Sequence, residues 1–234
     1  MATDPVESSI VKTSDGSLTL RSARYGETYR SDRGAISEAR QVFLEASGIG
    51  TRLREGFACH VLEIGFGVGT TALVTADEAL KAGTAFSMVS IENDPVSSAQ
   101  LRACCHGDWL EHVHLLDRLL AAWPASRAGS PALLLCEKPS ISVRLRIEDV
   151  CGAVLPTGQF DAVYLDGFSH ACNPEPWSPA LLARLFAALV PDGVLVTYSS
   201  RGQLQRDLRS VGFVVERLPG PAGKRMTLRA CKPS

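Results

Sequence analysis

Four acidic positions recur through the middle of the chain, each beside the end of an apolar run: Glu63, Glu92, the pair Glu148 and Asp149, and Asp166. The first opens Glu63-Ile-Gly65-Phe-Gly67-Val-Gly69, where an apolar run turns directly into a helical pattern. Glycines at such a turn permit a tight bend and close approach of backbone to a ligand. The third glycine falls one residue earlier than in the dinucleotide fingerprint. No Lys or Arg accompanies the loop to meet a phosphate. An acid directly before the loop suits a cationic ligand group instead, met directly or through water. Glu92, followed by Asn93, ends the next run and is placed for the two hydroxyls of a ribose. Asp149, with Glu148 as the alternate, is placed to accept the amino hydrogens of an adenine. Capping a helix is the plainer use of Asp149. Asp166 stands at the mouth of the same edge, where a substrate would meet the reactive group. The set describes a nucleoside pocket with an acidic face, which favours S-adenosylmethionine over NAD. The predicted cofactor contacts are Glu63, Gly65, Phe66, Gly67, Gly69, Glu92, Asn93, Glu148, Asp149 and Asp166, and Asp166 is also the catalytic candidate.

Bringing these acids to one edge requires strands that run the same way. The apolar runs Cys59–Ile64, Phe86–Ile91, Ile141–Ile147, Phe160–Leu165 and Gly193–Tyr198 read as strands. Helical patterns follow the glycine loop to about Lys81, open at Asp94-Pro95, and cover Pro179–Leu189 and Gln203–Val211. Alternating strands and helices predict an α/β fold, a doubly wound and mostly parallel sheet with helices on both faces. Phe213–Leu218 and Met226–Cys231 are separated by too short a segment for a helical crossover, so the last strand is expected antiparallel. Ahead of this lie an expected short hairpin over Ser17–Tyr29, turning around Gly26, and a helix over Ile36–Ala46 that ends at Gly48. The domain expectation is an N-terminal extension over 1–56 and the cofactor-dependent domain over 57–234. Ala125–Pro131 reads as a surface loop.

The chain has 234 residues and a formal charge of −1, with 24 basic against 25 acidic side chains. That total hides segregation: residues 1–11 carry −2, 12–54 carry +3, 55–200 carry −8 and 201–234 carry +6. A polyanion would therefore be held by the ends and a cation by the middle. Seven cysteines with no C-x-x-C pair indicate neither a disulfide framework nor a zinc site, and fit a reducing, cytoplasmic compartment. No apolar run approaches a membrane span. No metal, no membrane contact and a monomeric state are expected.

Further motifs sharpen this reading. They include Ser31-Asp-Arg-Gly-Ala-Ile-Ser-Glu38 with Val42-Phe43, the glycine loop, and Ala121-Ala-Trp-Pro124. They also include Leu165-Asp-Gly-Phe-Ser169 with Asn173-Pro174 and Trp177, and the ending Pro219-Gly-Pro-Ala-Gly-Lys-Arg-Met226. Through most of its length the chain resembles the methyltransferase-domain family of MnmC, the tRNA wobble-uridine modification enzymes. His170-Ala171-Cys172 stands where that family usually has Pro and Lys. The resemblance implies a class I methyltransferase fold of Rossmann-like type and S-adenosylmethionine as donor. It also implies tRNA, bound at its anticodon region, as partner, and methylation of the amine of 5-aminomethyl(-2-thio)uridine. On this reading Asp166 holds and orients the amine, and Tyr29 and Phe168 wall the uracil ring, with Tyr25 a weaker candidate. Trp177 supplies an aromatic wall, and Arg33, Lys224 and Arg225 meet the RNA within the N- and C-terminal basic blocks that also hold Arg21, Arg24, Arg30, Arg201 and Arg206. The flavin oxidoreductase domain that some members append has no counterpart in this sequence. Two other readings stay open at this point: methylation of a small-molecule amine, and a nucleotide-binding oxidoreductase or non-catalytic nucleoside-binding module.

Overall fold

The computed structural model describes residues 8–105, 109–123, 133–221 and 226–234. Its centre is an eight-stranded sheet. In chain order the strands are β3 (Cys59–Ile64), β4 (Phe86–Glu92), β5 (Leu133–Cys136), β6 (Ile141–Ile147), β7 (Phe160–Leu165), β8 (Leu189–Thr197), β9 (Val214–Leu218) and β10 (Thr227–Cys231). In space they run β5-β6-β4-β3-β7-β8-β10-β9. The five from β6 to β8 are parallel. β10 enters between β8 and β9, antiparallel to both. The expected mostly parallel sheet with an antiparallel last strand is thus present. β5, antiparallel to β6, forms the opposite edge.

Period-two alternation explains why the sheet is covered on both faces. Cys59 and Val61 of β3, Ala162 and Tyr164 of β7, and Val194 and Val196 of β8 enter one core. Leu62, Ile64, Val163, Leu165 and Leu195 enter the other. The first core is covered by α1 (Ala35–Glu38), which widens into a π-helical segment over Ala39–Glu45. It is covered further by α2 (Ile49–Arg54), α3 (Thr70–Lys81), α4 (Ser98–Cys104) and α5 (His114–Ala121). The second is covered by α6 (Pro179–Ala188) and α7 (Gly202–Val211). Leu20, Val42 and Phe43 of the N-terminal segment lie in the first core, so that segment packs with the sheet rather than beside it.

Three local readings are corrected. The N-terminal hairpin pairs β1 (Ser9–Lys12) with β2 (Leu18–Arg21), and its turn is built around Asp15 and Gly16 rather than Gly26. Of the expected turn around Gly26, the Arg21–Thr28 bridge remains. Asp15 sets the observed turn: it accepts from Thr13 Oγ1 at 2.7 Å and from the Ser17 and Ser37 amides at 3.2 and 3.0 Å. The helix expected from Asp94-Pro95 begins at Ser98, because Ser97 and Gln100 form a reciprocal capping box there. Trp177 lies in the second core, 2% exposed, instead of lining an opening. Its ring stacks on His170 and its Nε1 donates to the Phe168 carbonyl at 2.8 Å. The loop Ala125–Pro131 lies outside the described residues. Among the described residues no helix is long and apolar enough to cross a membrane.

Candidate active site

The strand order reverses between β3 and β7, and ligands of open α/β sheets sit outside the carboxyl ends at such a point. Backbone bonds carry the sheet one residue past its strands there. Gly65 N donates to Ile91 O at 2.9 Å, Asp166 N to Ile64 O at 2.9 Å, and Glu148 N to Glu92 O at 3.0 Å. Four loops are therefore delivered to one edge. Above them lies a cleft of about 850 Å³, within the ordinary range for small-molecule and cofactor sites.

Gly65, Gly67, Asn93, Glu148, Asp149, Asp166, Phe168 and Tyr29 of the predicted set line this cleft. Ile64, Ile91 and Val150 add an apolar strip beside the carboxylates. Gly65 has φ +91°, and a Cβ there would lie 2.6 Å from the Asp166 carbonyl oxygen. The glycine loop and the loop after β7 are thus packed backbone to backbone. Neither can yield, so Gly65→Ala is expected to lower the melting temperature, from a cost of ~1–3 kcal/mol, and to weaken nucleoside-cofactor binding by more than tenfold. Thermal denaturation and calorimetric titration check this, and wild-type values for both would refute it. At Gly67 an added Cβ would meet the Tyr29 ring at 3.0 Å, which fixes Tyr29 against the loop.

Four predicted contacts do not line the cleft. Phe66 is fully buried and stacks on Trp123 under the loop. Gly69 starts α3 in the left-handed region, and a Cβ there would strike Phe66 at 2.8 Å. Both serve the strand-to-helix packing. Glu92 accepts from Gly67 N at 3.0 Å and Asp94 N at 2.9 Å, tying the end of β4 to the glycine loop. Glu63 points into the first face, fully buried, and receives Ser90 Oγ–H; Arg30 lies 4.0 Å away. The cation it meets is therefore the protein's own. Glu148 holds Arg146 Nε at 2.5 Å, and Asp149 accepts the Cys151 amide at 2.9 Å, a local capping use.

Burial pushes the Glu63 carboxyl up to about 7, opposed by Arg30 and Ser90. The folded state then binds a proton that the unfolded state, near 4.5, has released. This part of the stability is full below about pH 4.5 and is lost as pH rises through about 7. Urea denaturation should show Glu63→Gln with a shallower fall in stability across that window than wild type. Parallel pH profiles for the two proteins would refute it.

Arg30 is the residue that charge counting misassigned. It sits among exposed arginines in sequence, yet it is 3% exposed, lies over the Phe43 ring and is ion-paired to Asp166 through Nη1. It underpins the site instead of meeting an RNA phosphate. Also missed was Glu27, whose carboxylate takes Ser169 N at 3.1 Å and Ser169 Oγ at 2.6 Å. This pair ties the N-terminal strap to the loop after β7. Tyr198 O–H donates to Gly167 O at 2.9 Å from the far side. A polar residue in a loop gives no sequence signal of such a long-range partner. Arg21 and Arg24 line the cleft, and Arg201 is close enough to His170 to help lower its pKa, after burial. Arg33 lies beside the strap residues Ser31 and Asp32 that line the cleft but is not itself a lining residue. Arg206 is bonded to Gln203 on α7. Lys224 and Arg225 lie outside the described residues.

A parallel sheet with a switch-point cleft, a glycine loop and carboxylates after successive strands defines a class I nucleoside-cofactor protein. The family model described as S-adenosyl-L-methionine-dependent methyltransferase matches residues 111–233, and the chain belongs to that family. The tRNA 5-methylaminomethyl-2-thiouridine biosynthesis bifunctional protein MnmC of Aromatoleum aromaticum is 36% identical, over 98% of this chain and 36% of the relative. The protein of the same name from Pseudomonas fluorescens is 33% identical, over 89% of this chain and 32% of the relative. The chain thus spans about a third of the length of these relatives. The crystal structure of MNMC2 from Aquifex aeolicus superposes with a TM-score of 0.82 at 24% identity, over 99% of this chain and 73% of that one. Spermidine synthase from Thermotoga maritima gives 0.59 at 15% identity, over 98% and 70%. These two likenesses concern the fold alone.

Proposed function

We propose that the protein transfers a methyl group from S-adenosylmethionine to the primary amine of 5-aminomethyl(-2-thio)uridine at the tRNA wobble position, giving the 5-methylaminomethyl form. The observation that carries this reading is the mouth of the cleft. The aromatic rings of Tyr29 and Phe168, with centroids 4.9 Å apart, line the same cleft as Asp166. A flat ring bearing a cationic amine matches that pairing of surfaces. The names of the relatives, which concern 5-methylaminomethyl-2-thiouridine, support the same nucleoside.

The cofactor fits the residues present. Gly65 lets the glycine loop pack on the Asp166 backbone at the floor of the cleft, Asp149 or Glu148 is suited to an adenine amino group, and Ile64, Ile91 and Val150 to its apolar faces. Glu92 holds the glycine loop in place through Gly67 N. When bound, S-adenosylmethionine supplies a methyl group already activated on a sulfonium. The chain's task is then alignment. Asp166, with Arg30 fixed on Oδ2, orients the substrate amine by a charge-assisted bond. The amine sheds its proton to solvent, since an ordinary aspartate is too weak a base to take it. Arg21, Arg24 and Arg33 on the strap side and Arg201 on the other supply phosphate contacts for the anticodon region.

The test is methyl transfer from labelled donor to three acceptors: tRNA carrying 5-aminomethyluridine, the same tRNA without it, and a free polyamine. Label in the first alone is the expected result, with binding that weakens steeply with salt. Label in the polyamine and not in tRNA would replace the reading with a small-amine methyltransferase.

A further inference from the structure

Tyr25 and Phe168 stack with centroids 4.4 Å apart and planes 30° apart. Flat rings in contact lie about 3.5 Å from one another, so a base held between two of them needs about 7 Å. The Tyr25–Phe168 pair leaves no such gap, although both rings line the cleft that Asp166 also lines. A substrate ring can use this face of Phe168 only by taking the place of Tyr25.

The surroundings say which ring yields. Phe168 is pinned at both ends of its peptide: Trp177 Nε1 donates to its carbonyl, and Tyr198 donates to the carbonyl of Gly167. Its neighbour Ser169 is held twice by Glu27. Tyr29 is wedged against Gly67. Tyr25 instead rides a turn whose Ala23, Arg24 and Gly26 are exposed. Arg24, over the Tyr25 ring at 5.0 Å, is itself 62% exposed and 3.8 Å from Asp94, an ion pair of little worth in water.

We propose that Tyr25 is a specificity-determining residue that occupies the substrate ring's position on Phe168 and is displaced by it. The inference rests on the ring-bearing substrate proposed above. Exchange of one stacked ring for another costs little, whereas a flexible aliphatic amine offers no ring to replace the lost stack. The site thereby admits amines carried on a flat ring and resists polyamines.

The chain has four tyrosines, so protein grown with 3-fluorotyrosine gives four fluorine resonances, and Tyr25→Phe assigns one. The complex is formed with tRNA carrying 5-aminomethyluridine in the presence of S-adenosylhomocysteine. The Tyr25 resonance should move to the position of a solvent-exposed tyrosine, while those of Tyr164 and Tyr198 stay. In parallel, Tyr25→Ala should lower KM for the tRNA about 2- to 10-fold, the worth of one aromatic pair, and raise turnover of a polyamine relative to wild type. The melting temperature and donor affinity of the variant report its folding. A Tyr25 resonance that stays in place in a complex seen by gel shift overturns the inference, and so does a raised KM. Both leave the proposed substrate standing if wild-type protein still methylates the tRNA. No methylation of that tRNA by wild type overturns the substrate and this inference together.

Discussion

Asp166→Asn is expected to lower kcat for methyl transfer by ~100- to 1,000-fold, the range for loss of a group that positions a reacting atom. The asparagine keeps the shape of the aspartate and removes the charge that holds an ammonium group. Because the loss falls on alignment of the amine, kcat should suffer more than KM for tRNA, a pattern that steady-state kinetics reads directly. Asp166 lies in the loop packed on Gly65, and its backbone N–H and C=O contacts do not depend on the side chain. The variant also leaves the buried Arg30 without the Asp166 charge, so it should melt at a lower temperature; measured well below that temperature, donor affinity should change far less than kcat. A variant with wild-type kcat would remove Asp166 from the mechanism.

The second large effect concerns stability. Arg30 is buried beneath the site, with side-chain exposure of 2% against 5% for Asp166. Removing one partner of a buried ion pair leaves the other charge without compensation, at ~3–5 kcal/mol. For a chain of this size that corresponds to a fall in melting temperature of roughly 10 °C. Arg30→Met should show it, since the apolar replacement fills the volume but not the charge. Its loss should be smaller at pH 5 than at pH 8, because Glu63 takes up a proton as pH falls through about 7 and one of the two carboxylates facing the cation is then neutral. A drop of the same size at pH 5 and pH 8 would assign the cost to packing against Phe43 instead. Arg30→Lys should recover part of the stability, because a single ammonium can pair with Asp166 without reproducing the guanidinium's planar stacking over Phe43.

What the sequence made readable was periodic. Strands β3, β4, β6, β7 and β8 are apolar runs that feed both cores, and they are interrupted by glycines and acids at a fixed edge. Runs, loop and acids therefore stand out without a structure. The elements that escaped lack that contrast. β1 has three exposed residues of four and is fixed by Asp15 in the turn that follows. α5 carries its buried face on Leu115, Leu119 and Leu120 within a stretch of mixed charge. Side-chain roles were legible only where position alone determines them. Gly65, Gly67, Asn93, Asp149 and Asp166 reach the cleft because strand ends carry them there. Whether an arginine faces solvent or a buried carboxylate is decided by a partner far along the chain, so Arg30 read as part of a basic block. Trp177 read as a wall because prolines surround it, but helix α6 and the Phe168 carbonyl draw it into the core. The charge segregation keeps its meaning in altered form. The acidic middle does furnish the cleft, and the basic N-terminal block contributes one arginine to the interior and two to the rim.

The identity of the methylated nucleoside is read directly from the tRNA. Purified protein is incubated with S-adenosylmethionine and tRNA carrying 5-aminomethyluridine at the wobble position. The tRNA is then digested to nucleosides and analysed by mass spectrometry. Conversion of 5-aminomethyluridine to 5-methylaminomethyluridine is expected, strongly slowed in Asp166→Asn and with no other nucleoside gaining mass. Unchanged 5-aminomethyluridine under conditions where the donor binds, or methyl groups on a different nucleoside, would contradict it.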